Sequence, residues 1–384
     1  MIYLDNCATT RPRDAVVNVM MNSLKDDYGN PSSLHRLGLN AEIKIKNSRN
    51  VIAEYLKVNR NELYFTSGGT ESNNIAIQGI VKKYGARGKH IITTKIEHPS
   101  IHNIMKYYET KGYNITYLNN DEMGNIDLNQ LKESITSDTI LVSLIHVNNE
   151  IGVIQNIKEV RKILNDSGSN AMLHLDGVQS FGKIDFSLKG LGVDTYSFSG
   201  HKVHGPKGIG GLYINSKLNL PPVVLGGNQE NGIRSGTENL TGIIGFGEAV
   251  SILCENFKEE SEHVFNIKQY LSKRILEEID DIKINTSLDY NSSPYILNIS
   301  FRNIRGEVLL HYLEDKEIYV STTSACSSKG TKKSNILKSI GLTDNEIEGT
   351  IRFCFSYEIS KEDIDYTMDI LKSSVKEIRQ IIMR

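Results

Sequence analysis

Between residues 62 and 214 the chain alternates short apolar runs with stretches of helical periodicity, a rhythm that builds a mostly parallel sheet with helices on both faces. The runs are Leu63 to Thr66, His90 to Thr94, Ile115 to Leu118, Ile140 to Ile145, Met172 to Leu175, Tyr196 to Ser199 and Leu212 to Ile214, which makes a seven-stranded α/β sheet. Polar residues crowd their C-terminal ends: Ser67-Gly68-Gly69-Thr70, His98, Asn148-Asn149-Glu150, Asp176 and Ser199 to Lys202. Open α/β sheets bind ligands outside that edge, so these residues are expected to converge there.

From Thr241 to about Glu278 the pattern turns helical with few breakers, as in a connector leaving the large sheet. Beyond it, Ile296 to Phe301, a helix near Glu307 to Asp315, the strand-like Ile318 to Ser321 and Ile351 to Phe355, and a closing helix from Lys361 form a small α+β unit. A chain of 384 residues outgrows a single core. The expected division is a large domain over residues 1–255 and a small one over 256–384, with about the first 15 residues packing against the small domain. Ser324 to Lys333 is small, polar and aperiodic and reads as a mobile loop.

Hydrophobic residues make up 39% of the chain and charged residues 23%, and the formal net charge is −2, without the basic excess that direct nucleic-acid binding needs. Cys7, Cys254, Cys326 and Cys354 have no metal-type spacing and are too few to staple the chain, which fits a reducing compartment and no bound metal. The N-terminus has no basic and apolar leader pattern, and no run of about 18 apolar residues occurs, so a cytoplasmic protein without membrane contact is expected.

Several segments carry potential chemistry, each with a plainer reading beside it. Lys202 lies in Ser199-Gly200-His201-Lys202-Val203-His204-Gly205 just past a strand. Its amine could condense with the aldehyde of pyridoxal phosphate while Ser199 and His201 bond the phosphate; it could equally be a solvated lysine in a Gly-rich loop. Ser67-Gly68-Gly69-Thr70 opens a helix and makes an anion site, or Thr70 is simply a helix cap. Asp176 could hold a pyridinium N–H, with Gln179 on the ring's phenolic oxygen, or cap a helix. His98 by itself reads as a helix-start residue. Arg352, on an apolar strand, needs a partner that a substrate carboxylate or an internal acid would supply. Cys326 sits in the polar loop rather than in an apolar run, unlike Cys254 within a helical pattern, so its thiol is a candidate for reactivity. Lys329, Lys332 and Lys333 beside it read as solvated charge.

Taken together, the chain resembles the cysteine desulfurases of the NifS/IscS type, a branch of the class V aminotransferases with fold type I pyridoxal-phosphate architecture. The resemblance runs through Tyr3-Leu4-Asp5-Asn6-Cys7-Ala8-Thr9-Thr10, Gly29-Asn30-Pro31-Ser32-Ser33, the Ser67 to Asn74 segment and His146 to Gly152. It is most specific at Ser197 to Lys202, Arg234-Ser235-Gly236-Thr237-Glu238-Asn239 and Ser324-Ala325-Cys326. It implies pyridoxal 5'-phosphate as cofactor, held as an internal aldimine by Lys202. Gly69, Thr70, Ser199 and His201 would hold the phosphate, and Thr237 would reach the phosphate of the neighbouring subunit in a homodimer. His98 would stack on the ring, Asp176 pair with its nitrogen and Gln179 with its phenolic oxygen. Asn149 and Arg352 would bind the carboxylate of L-cysteine. Cys326 would take the substrate's sulfur as a persulfide, leave alanine, and pass the sulfur to an acceptor protein, an iron-sulfur scaffold or a tRNA-thiolation enzyme.

The long loop from Cys326 to Arg352 is similar to that of desulfurases with separate acceptors. Cys7 stands where Ala or Ser is common, His204 where Tyr is, and Cys354 where Ser is; the loop lacks L-E-P-S after its cysteine and the C-terminal tail is short, so the acceptor stays open. A selenocysteine lyase or another β-eliminating relative would share the lysine site, and a non-catalytic partner protein with a relic site is the remaining alternative.

Overall fold

The computed structural model describes residues 1–322 and 333–382. Seven strands form one sheet in the spatial order Leu63–Thr66, Gly210–Ile214, Thr195–Ser199, Met172–Asp176, Thr139–Ile145, His90–Thr94, Asn114–Leu118. Gly210–Ile214 runs antiparallel to both neighbours. The remaining neighbours are parallel. Every residue of His90–Thr94, Thr139–Ile145 and Thr195–Ser199 is buried, because helices cover both faces, and the polar side chains in these strands are buried along with the apolar ones.

The helix Leu240–Glu278 joins two cores. Its first half contributes Leu240, Ile243, Phe246 and Val250 to the core beneath the large sheet. Its second half contributes Val264, Ile267, Leu271 and Ile275 to a core around an antiparallel sheet ordered Ser321–Thr322, Thr350–Cys354, Ile296–Phe301, Ile282–Ile284. Among the described residues it is the one helix long and apolar enough to cross a membrane, and half of its most apolar window is buried within the fold. A smaller apolar cluster joins Ile96, Ile145, Ile151 and Val153 of the large unit to Ile336, Leu337, Ile340, Leu342 and Ile347.

The N-terminal segment belongs to both units. Ile2–Tyr3 pairs in parallel with Ile318–Tyr319, and Leu4 O accepts from Cys354 N at 2.6 Å. A few residues on, Thr10 N donates to His201 O at 2.9 Å, so the segment crosses from the small sheet to the edge of the large one.

Several features depart from the expected pattern. Helices Asp14–Asp26 and Arg36–Leu56 were absent from it, the first because it buries only Val16 and Ser23 and leaves Val17, Met21 and Leu24 exposed, with no clear apolar stripe. The stretch before Arg352 is not all loop: it contains helices Asn335–Ser339 and Asp344–Glu348, the latter opened by a capping box between Thr343 and Glu346. Cys254 is exposed despite its helical setting, because the buried face of that turn is taken by Leu253 and Val250. Lys333 is ion-paired rather than merely solvated, with Asp344 at 3.1 Å and Glu348 at 2.9 Å.

Candidate active site

At the C-terminal edge of the large sheet lies a cavity of about 290 Å³. Its lining includes Gly69, Thr70, His98, Asn149, Asp176, Gln179, Ser199, His201, Lys202 and Arg352, ten of the residues named from sequence, together with Cys7 and Ala8. Thr237 is exposed and lies outside this lining. Cys326 lies outside the described residues, as do Lys329 and Lys332.

Each side chain is set by the end of an element. The helix Gly69–Tyr84 has no side-chain cap hydrogen bond, and Thr70 lies inside its first turn, so the cap reading of Thr70 does not hold. Gly68, the residue before it, has φ +150°, a conformation that side chains resist. A Cβ on Gly69 would come within 2.4 Å of Val178 Cγ2, so glycine here keeps a hollow open at the positive end of a helix dipole. Ser199 Oγ is buried without a hydrogen-bond partner. A buried unpaired hydroxyl beside a helix start suits a phosphate, and on these observations the lining fits pyridoxal phosphate.

Lys202 follows the strand Thr195–Ser199 on a single tight turn, Gly200–Lys202. Its ammonium donates to the carbonyls of Cys7 and, at 2.8 Å, Ala8. Burial and the neighbouring Lys183 bring its pKa down to about 8. Burial likewise lowers His201 to about 4, helped by Lys202, and its Nδ1 lies 3.2 Å from Thr9 Oγ1.

Asp176 ends the strand Met172–Asp176 and is held from two sides. Asn73 Nδ2 donates to its Oδ2 at 2.8 Å, and Val178 N donates to its Oδ1 at 3.0 Å, so it does stabilise its own turn while the carboxylate stays in the cavity wall. His98 caps the helix Pro99–Thr110, accepting from Ser100 N at 3.1 Å through Nδ1, and its ring also lines the cavity. Burial lowers its pKa against the opposing pull of Asp176. Gln179 Nε2 donates to Cys7 O at 3.0 Å.

Arg352 crosses from the small sheet. Its Nη1 donates to the carbonyl of Asn149 at 2.8 Å and its Nη2 to Asp5 Oδ1 at 2.9 Å, while its Nε is buried without a partner. An internal acid therefore does serve this guanidinium, and Nε is its one nitrogen without a partner among the described residues. Asn149 Oδ1 is also buried and unpaired. Beside them Cys7 Sγ lies 4.0 Å from the Tyr295 carbonyl; neighbouring Cys354 and nearby cations lower the Cys7 thiol against the effect of burial, and burial raises Cys354.

Asp5, Cys7, Asn73 and Lys183 were not singled out as site residues from sequence. Asp5 and Cys7 stood in the N-terminal motif without a role, and Asn73 in the Ser67 to Asn74 segment; each acts through a partner distant in the chain.

Comparison with known proteins agrees with this geometry. The chain is 40% identical over 380 residues to a cysteine desulfurase IscS of Dictyoglomus turgidum, covering 99% of this chain and 96% of that one. It is 42% identical over 385 residues to the cysteine desulfurase IscS of Buchnera aphidicola subsp. Baizongia pistaciae, covering 99% and 94%. Among solved structures, a NifS-like protein superimposes with a TM-score of 0.92 at 36% identity over 98% of this chain and 99% of that one. A protein described as SspA in complex with cysteine does so with a TM-score of 0.82 at 33% identity over 93% and 99%. With the aminotransferase class-V model matching residues 2–367, and these relatives spanning the chain nearly end to end, the chain belongs to the aminotransferase class-V family.

Proposed function

We propose that the chain is a cysteine desulfurase that uses pyridoxal phosphate to take sulfur from L-cysteine, leaving alanine and a persulfide on Cys326. The observation that carries this reading is the gathering of the Lys202 amine, the Asp176 carboxylate and the Arg352 guanidinium in one cavity with the unpaired Ser199 hydroxyl. The full-length relatives named as cysteine desulfurases support it, and they do not favour a selenocysteine lyase.

Bound there, the cofactor supplies an electron sink for the pair left when the substrate's Cα–H bond breaks. Lys202 would hold it covalently, Gly69, Thr70, Ser199 and His201 its phosphate, and His98, Asp176 and Gln179 its ring. Asp176, kept in orientation by Asn73, sets a fixed negative charge at the ring. Arg352 would donate to the substrate carboxylate from the Nη hydrogens that its two tethers leave unused, and Asn149 from its side-chain Nδ2. Once the substrate's amine has taken its place on the cofactor, the freed Lys202 amine, with its pKa near 8, would accept the α-proton and later return a proton to carbon. The Cys326 thiolate attacks the substrate sulfur; the Cβ–S bond breaks, and the sulfur leaves joined to Cys326.

A homodimer in which Thr237 reaches the phosphate of the neighbouring subunit accords with Thr237 lying outside its own chain's cavity lining. It is further supported by the apolar surface of Leu24, Tyr28, Leu34 and Leu39 on and around the N-terminal helices. The described cysteines Cys7, Cys254 and Cys354 are all free thiols, which supports a reducing, cytoplasmic setting. A boundary near residue 255 between large and small domains is supported by the change of core between Val250 and Val264. The sulfur acceptor is a separate protein, from iron-sulfur cluster assembly or tRNA thiolation.

The test is mass spectrometry after incubation with L-cysteine. One added sulfur on the peptide containing residue 326, with alanine released, is expected; alanine released with no sulfur retained on that peptide would overturn the persulfide assignment.

A further inference from the structure

Lys183 is a charged residue only 4% exposed. Its Nζ donates to Gln179 Oε1 at 2.8 Å and lies 5.6 Å from the centre of the Tyr295 ring. Among the described residues no carboxylate is paired with it. Burying an ammonium without an anion is costly, and a fold keeps such a group where its charge or its hydrogen bond has a use. The hydrogen bonds lead in one direction. Lys183 fixes the Gln179 oxygen, which turns Gln179 Nε2 toward the Cys7 carbonyl, and that carbonyl also receives the Lys202 ammonium.

The geometry points to Lys183 as a positioning residue that locks the Gln179 amide and sets a fixed positive charge behind the Lys202 amine. Its role goes beyond the proposed function and rests on that reading only for its catalytic consequence. The charge side of the role has support in the site itself: Lys183 is the strongest charged neighbour lowering Lys202, after burial, and it lowers Cys7 and His201 too. The other groups acting on Lys202 are Arg352, which lowers it, and Cys7 and Cys354, which raise it. Asp5, His98 and His201 also lie within its electrostatic reach. A lysine that must take a proton from carbon near neutral pH has to spend part of its time uncharged, and a nearby like charge favours that form.

The test separates charge from packing in the full chain, with formaldehyde and cyanoborohydride as the probe. Only the neutral amine reacts, so methylation of the Lys202 peptide, followed by mass spectrometry across pH in cofactor-free protein, reports its ionisation. Lys183→Met and Lys183→Gln are expected to move the midpoint up by about one pH unit, and Lys183→Arg to leave it near the native value. Equal midpoints in the Gln and Arg variants, both folded by circular dichroism, would overturn the proposal even if Lys183→Met fails to fold. Because the probe reads the amine without cofactor or substrate, this outcome is distinct from failure of the desulfurase reading, which the native protein's chromophore and persulfide decide.

Discussion

Arg352 Nη2 donates to Asp5 Oδ1 at 2.9 Å across 347 residues of chain, and the same guanidinium is tethered by its Nη1 to the Asn149 carbonyl. The two tethers use two of the five guanidinium N–H groups and fix the plane of the rest toward the cavity that Arg352 lines. Asp5→Ala is expected to let the guanidinium rotate, raising KM for cysteine about tenfold with a smaller change in kcat, and to cost about 2 kcal/mol of stability by leaving a buried charge underpaired. Steady-state kinetics and denaturant unfolding check this; unchanged values of both would show the tether to be idle.

Gly69 is expected to tolerate no side chain. Gly69→Ala drives a methyl into Val178 Cγ2, 2.4 Å away, and should abolish retention of the yellow cofactor band on gel filtration. Adding Val178→Ala to Gly69→Ala removes the obstructing methyls and should restore part of the band, which a general folding defect would not allow.

Asn73 holds Asp176 through one amide hydrogen, while its carbonyl oxygen lies 3.1 Å from Nε2 of the buried His174. Asn73→Ala should free the carboxylate and weaken cofactor affinity about tenfold, the worth of one hydrogen bond to a charged group. Equilibrium dialysis of the bound cofactor reads this directly.

Glu97, beside His98, accepts from Thr94 Oγ1 at 2.7 Å and from Ile145 N at 2.8 Å, and its Oε2 has no partner. Burial pushes its pKa up to about 8. Its folded value exceeds its unfolded one, so its stabilising effect is complete below about pH 4.5 and is lost as the pH rises through about 8. Glu97→Gln, which is neutral throughout, should therefore gain on the native protein between pH 5 and pH 9 by on the order of 2–4 kcal/mol. Thermal unfolding across that range is the measurement, and parallel curves would refute the buried-acid assignment.

Cys326→Ala should keep the yellow chromophore and lose alanine production from cysteine at least a hundredfold, whereas Lys202→Ala should lose the chromophore itself. Absorbance and amino-acid analysis distinguish the two.

Much of this was legible in the sequence for a definite reason. Strands buried on both faces are rich in apolar and β-branched residues, so Leu63–Thr66, His90–Thr94 and Ile296–Phe301 begin and end where such stretches do. Parallel strands place their C-terminal ends on one edge, so topology alone gathers Gly69, His98, Asp176 and Lys202 there. The relationships that escaped are those between groups far apart in the chain, since neither spacing nor periodicity records that Asp5 meets Arg352 or that Asn73 meets Asp176. The helix Asp344–Glu348 was missed although its Thr343 and Glu346 spelled a capping box, because the polar stretch before it drew the reading toward loop.

The N-terminal segment has a consequence for the order of assembly. Residues 2 to 10 emerge from the ribosome early, yet Asn6 can meet Cys354 only after 348 further residues have been made. Until then the Cys7 and Ala8 carbonyls are held from the large unit alone, by Gln179 and Lys202, without the strand pairing that anchors Ile2 to Asn6. The wall that carries Arg352 is thus added only when nearly the whole chain is out, and a stalled or truncated product would carry a folded sheet but an unfinished pocket.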